Sequence, residues 1–98
     1  MARVIVLDPL AKEGLKVLED AKNIEVEVRT GLKDEALREA LREFDGAICR
    51  SGVKLSADAL ADNRRLRAIV RAGVGTDNID LAAATRLGIV VMNTPTGN

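Results

Sequence analysis

Arg50-Ser51-Gly52 and Arg71-Ala72-Gly73-Val74-Gly75 are the two stretches whose residue types suit chemistry. A guanidinium presents a planar fork of donors that matches a phosphate or carboxylate. A serine adds a hydroxyl, and glycines let backbone N–H groups approach an anion closely. The chemistry this suggests is capture of a small anion. Each stretch also has a plainer reading: Gly73 and Gly75 could simply make a tight turn, Arg71 could pair with Asp77, and Arg50-Ser51 could be a solvated loop. Groups for bond making are scarce. The sequence has no histidine, which removes the commonest general base and the commonest metal ligand. Its one cysteine, Cys49, reads as a small buried hydrophobe at a strand end. Asp77 and Asp80 flank the start of a helix, where capping is their ordinary role. No metal-ligand spacing occurs, so neither a catalytic residue nor a metal site is expected. A dinucleotide fingerprint, Gly-x-Gly-x-x-Gly, is broken, because Asn78 stands in the third glycine's place. The tail Asn93 to Asn98 lacks the Lys-Ser/Thr ending of a phosphate loop.

These stretches gain meaning from the elements that carry them, since strand and helix patterns alternate along the chain. Val4-Ile5-Val6-Leu7 is a continuous β-rich run, as expected for a strand buried on both faces of a parallel sheet. Asp8-Pro9 reads as a helix start, with Ala11, Leu15, Leu18 and Ala21 on one face of the helix that follows and Lys12, Glu13, Lys16 and Glu19 turned to water. Residues 24–29 alternate Ile24, Val26, Val28 with Glu25, Glu27, Arg29, which predicts an edge strand. After Gly31, a helix from Lys33 to Glu43 buries Leu37, Ala40, Leu41 and Phe44. Gly46-Ala47-Ile48-Cys49 is a third strand, and Ser56 caps a short helix through Asp62. Ala68 to Arg71 is a fourth strand, residues 78–87 a helix stopped by Gly88, and Ile89 to Met92 a fifth strand.

Five strands joined by helices predict an α/β, flavodoxin-like, doubly wound parallel sheet of order 2-1-3-4-5, forming a single domain over 1–98. Ligands of such sheets bind beyond the carboxyl ends of the strands. Asp8-Pro9, Arg29-Thr30, Arg50-Ser51-Gly52, Arg71 to Gly75 and Asn93-Thr94 all fall on that rim, and the helix after Gly75 is expected to point its N-terminus there. No helical pattern follows the fifth strand, so the final helix of the fold is expected to be lacking and one sheet face near strands one and five left bare.

Composition bounds the rest. Apolar residues make up 47% of the 98 residues, and Lys+Arg and Asp+Glu number 15 each, for a formal net charge of zero. Such balance offers no attraction to nucleic acid or to a membrane surface, and any anion must be caught locally. The apolar runs are far short of the roughly 20 residues that span a bilayer. A lone cysteine and no signal peptide suit a reducing, cytoplasmic setting.

At Arg50-Ser51-Gly52-Val53-Lys54, at Arg71 to Asp80 and at Val91 to Asn98, the chain resembles the D-2-hydroxyacid dehydrogenase family, in its branch acting on 3-phosphoglycerate in serine biosynthesis. The resemblance runs the length of the chain. It implies a discontinuous substrate-binding domain of which this chain is the first segment, with the inserted NAD-binding Rossmann domain absent. Carried over by position, Arg50 and Ser51 match residues holding the substrate's charged end. Val74 and Gly75 match a turn whose amides receive a carboxylate, within a motif that includes Arg71 and Gly73. Asn98 matches a substrate-contacting asparagine near the interdomain hinge. The resemblance thus implies a partner that is a small anionic 2-hydroxy or 2-oxo acid such as 3-phosphoglycerate. NAD belongs to the full-length family, and no cofactor is expected on this chain. The catalytic arginine, acid and histidine of the family have no counterpart, so the chain alone is expected to be inactive. Two other readings are a half-fold that self-associates as a homodimer through the bare face, and a receiver-like interaction module. The second lacks the acidic cluster and lysine such modules need.

Overall fold

Val4, Ile5 and Val6 have β-branched side chains that are stiff at χ1 and pack well on a pleated surface, and they lie in an interior strand of the sheet. The structure, a computed structural model, describes residues 2–9, 16, 19–21, 23–50, 52–72 and 78–94. Its strands are β1 (Ala2–Val6), β2 (Ile24–Val28), β3 (Gly46–Cys49), β4 (Ala68–Ala72) and β5 (Val90–Thr94). They lie in the order β2-β1-β3-β4-β5 with every neighbouring pair parallel. The alternating strand β2 is at the edge, as its pattern requires, and Arg3 of β1 pairs with its Glu25 at 3.0 Å.

Parallel register puts Ile5, Ala47, Ile69 and Val91 in one row across the sheet. On that face lies the core, closed by three helices: α1 (Asp34–Leu41), α2 (Ala57–Leu60) and α3 (Leu81–Arg86). Helix α1 buries Leu37, Ala40 and Leu41, and Phe44 follows at 1% exposure. The Ser56 hydroxyl accepts the Ala59 N–H at 3.3 Å and so caps α2. Asp80 does the same for α3 through the Ala83 N–H at 2.9 Å, and Gly88, at φ +77°, ends that helix.

Several element ends lie one or two residues from their expected places, and two departures bear on the site. Helix α3 starts at Leu81 rather than at Asn78, because a parallel bridge between Ile79 and Leu55 holds Ile79 and Asp80 extended. Strand β5 continues to Thr94, past its expected end at Met92. The helix expected after Asp8-Pro9 falls mostly outside the described residues; Lys16, Glu19 and Asp20 are helical and exposed.

Candidate functional site

Because all five strands run the same way, their carboxyl ends share one edge, and the side chains there are tied together across the sheet. Asp8, just past β1, is 7% exposed, and its Oδ2 accepts the Arg50 N–H at 2.6 Å. The same carboxylate lies against Gly52. A Cβ at that position would collide with Oδ1 and stand 3.3 Å from Cγ, so the loop after β3 needs glycine there. Arg50 is exposed, and among the described residues its guanidinium makes no ion pair or hydrogen bond.

Arg71 sits one strand further along, paired in register with Cys49, on the core face and only 7% exposed. A buried guanidinium must be given acceptors. Its Nε donates to Asn78 Oδ1 at 2.7 Å, and Asn78 Nδ2 in turn donates to the carbonyls of Arg50 and Val53, both at 2.8 Å. The bridge adds Leu55 N–H to Asn78 O at 2.8 Å and Asp80 N–H to Leu55 O at 2.9 Å. Beneath these groups the Cys49 thiol is fully buried. Burial, with the Asp8 carboxylate adding to it, pushes its pKa up to about 11 against the pull of Arg71 and Asn78. A thiol held neutral in this way is a packing group and not a nucleophile.

Of the residues expected on the rim, Arg50 and Arg71 are brought to one edge and linked through Asn78, the first exposed and the second in the core. Ser51, Gly73, Val74, Gly75, Asn98 and Asp77 lie outside the described residues. Helix α3, whose N-terminus was expected to face the rim, begins at Leu81, and the Asp80 carboxylate takes the free N–H of Ala83. Sequence reasoning set Asp8 on the rim without its contact to Arg50, and missed Asn78 as a site group. It took the first as a helix cap and the second as a flaw in a glycine motif. Their position at the ends of β1 and in the turn after β4 was the available signal. Beside the rim a cleft of about 760 Å³ opens between Gly31–Asp34 and Gly52–Ser56, where Lys33, Arg38 and Lys54 are offset by Asp34, Glu35 and Asp58.

The arrangement matches known proteins along almost its whole length. A family model described as D-isomer specific 2-hydroxyacid dehydrogenase, catalytic domain, matches residues 4–98. The D-3-phosphoglycerate dehydrogenase of Methanocaldococcus jannaschii is 45% identical over 95 residues, covering 97% of this chain and 18% of that protein. The human D-3-phosphoglycerate dehydrogenase is 41% identical over 98 residues, covering 100% of this chain and again 18% of the other. Among solved structures, a Pyrococcus horikoshii protein superposes with a TM-score of 0.88 at 33% identity, covering 96% of this chain and 28% of that one. The NAD+-bound 3-phosphoglycerate dehydrogenase of Entamoeba histolytica gives 0.83 at 36% identity, over 96% of this chain and 33% of that one. The chain therefore spans less than a fifth of the curated relatives it matches, 18% of the length in each of these two. Matched from residue 4 to residue 98, the chain belongs to the D-isomer specific 2-hydroxyacid dehydrogenase family, in its catalytic domain.

Proposed function

We propose that this chain is the first segment of the substrate-binding domain of an NAD-dependent D-3-phosphoglycerate dehydrogenase, and that its strand-end rim holds the charged end of 3-phosphoglycerate. The observation that carries the reading is Arg50: an exposed guanidinium on a loop whose backbone is held from both sides. A cation whose base is fixed loses less freedom on binding an anion than one on a slack loop. The 45% identity to a D-3-phosphoglycerate dehydrogenase supports the choice of substrate. Around Arg50 the reading adds the Ser51 hydroxyl, the amides of Gly73, Val74 and Gly75 for the carboxylate, and Asn98. Arg71 contributes positive charge from beneath.

NAD supplies the hydride acceptor in complete members of the family, but the residues here do not fit it. Where a dinucleotide turn needs a third glycine, Asn78 projects an amide already committed to three partners, and the next helix starts only at Leu81. No redox step is assigned to this chain. In this reading it binds and orients the acid in the cytoplasm, and the reacting groups come from elsewhere in a longer protein. Among the described residues no helix is long and apolar enough to cross a membrane.

The test is an amide-resolved NMR titration with 3-phosphoglycerate, with sulfate as the generic anion. Shifts at Arg50, Gly52 and Ala72 that saturate at lower 3-phosphoglycerate than sulfate are expected. Arg50→Ala should weaken that response at least about tenfold, the size of one lost charge-assisted pair. An equal response to both anions, or none from a folded chain, would sink the reading.

A further inference from the structure

Asn78 makes contacts that the family match does not explain. Arginine has only donors and a carbonyl only acceptors, so the amide between them can sit one way round: oxygen toward Arg71, nitrogen toward Arg50 O and Val53 O. An aspartate of the same shape would turn a carboxylate oxygen on the two carbonyls. The Asn78 backbone carbonyl reaches the same loop through Leu55 N–H at 2.8 Å. Arg50, Val53 and Leu55 are thus all tied to Asn78, by its side chain and main chain together.

The consequence falls on Arg50. Its N–H, in the peptide unit before it, is held by Asp8 at 2.6 Å, and its carbonyl, in the peptide unit after it, by Asn78 at 2.8 Å. With both flanking peptide planes held, the backbone dihedrals of Arg50 are fixed and so is the direction in which its side chain leaves the loop. Only side-chain torsions remain free. We propose that Asn78, oriented by Arg71, is a positioning residue for the anion-binding rim: it aims Arg50 by holding the Arg50 and Val53 carbonyls. This rests on the function proposed above. It assigns Arg71 a task carried out through Asn78, in addition to any charge it lends the rim.

The two ideas are separated by measuring the loop without ligand first. In Asn78→Asp, the hydrogen-bonded amides of Arg50, Leu55 and Asp80 should exchange with solvent about tenfold faster than in the parent chain, while Ile5 and Ile48 in the sheet do not change. Affinity for 3-phosphoglycerate should fall by a similar factor, and Arg71→Lys should move the same amides in the same direction by less. Should Asn78→Asp not fold, Asn78→Ser and Arg71→Lys decide the matter by the same comparison. Loop amides exchanging as in the parent, or all amides accelerating by one common factor, would overturn the proposal. If the parent chain does not bind 3-phosphoglycerate, the functional reading fails alone, and the exchange comparison still rules on Asn78.

Discussion

Cys49 shows how the site's electrostatics act on a single group. Its thiol is buried among Asp8, Arg71 and Asn78, and its pKa is raised from 9.0 to about 11. Well below pH 9 the thiol is mostly neutral whether the chain is folded or not, though the unfolded chain keeps a small thiolate fraction at pH 8. As pH rises from 9 toward 11 the unfolded chain gives up a proton that the folded one keeps, so stability falls across that window. The folded chain should accordingly resist iodoacetamide at pH 8, with modification tracking unfolding in urea; rapid labelling without denaturant would count against a sealed thiol. The strand-end place of this cysteine could be read from sequence, and so could the exposed Arg50. The contacts of Asp8 and Asn78 could not. Their decisive contacts span 42 residues in one case and 28 and 25 in the other, and no local pattern encodes a partner so far along the chain. Gly52 was visible only as part of a loop, although its necessity comes from Asp8 across the sheet.

Elements were read more securely than contacts, because periodicity, caps and breakers are local. Strand β3 falls where predicted, Ser56 and Asp80 cap their helices, and Gly88 ends one. The start of α3 was misplaced for the same reason Asn78 was: the Leu55–Ile79 bridge is a tertiary contact that overrides helix propensity. The opposite end of the sheet offers a test at this scale. Asp45, in the turn before β3, accepts the Arg3 N–H at 2.8 Å and the Arg65 Nε–H at 3.3 Å, which joins β1 to the lead-in of β4. These bonds, Arg3 first, hold its pKa below the ordinary 3.8. With a depressed folded pKa, the stabilisation is present above the unfolded value and is lost as pH falls through the folded one. Melting curves should therefore show Asp45→Asn less stable than the parent at pH 7, with the gap closing as the solution is taken below about 3.8. A gap that stayed constant with pH would mean the charge of Asp45 plays no part.

At the scale of the molecule, the two sheet faces differ in what covers them. The face under α1 to α3 holds Ile5, Cys49 and Ile69 at 0% exposure, whereas the register row on the other face runs Val28, Val6, Ile48, Val70, Met92. Val6 in that row is 1% exposed, but Met92 is 46% and its strand neighbour Val90 is 58% exposed, so cover thins toward β5. The sequence pointed to a bare face near β1 and β5; in the structure the exposure lies at β5 and at Val28 on the other edge, and β1 is covered. Half-exposed apolar groups contribute little to folding, since the area they remove from water is small. A double variant, Val90→Thr with Met92→Lys, should leave the melting temperature within a few degrees of the parent, while Ile69→Thr should cost several kcal/mol, as burying a hydroxyl in a tight core does. If a second copy of the chain covered the β5 end, the parent would sediment above monomer mass with rising concentration. The double variant should then stay monomeric at the same concentrations, because a lysine at position 92 would place one charge from each copy in a shared apolar contact. A parent chain that remains a strict monomer at millimolar concentration would remove the second copy from consideration without touching the stability forecast, since that forecast depends only on which face holds the core.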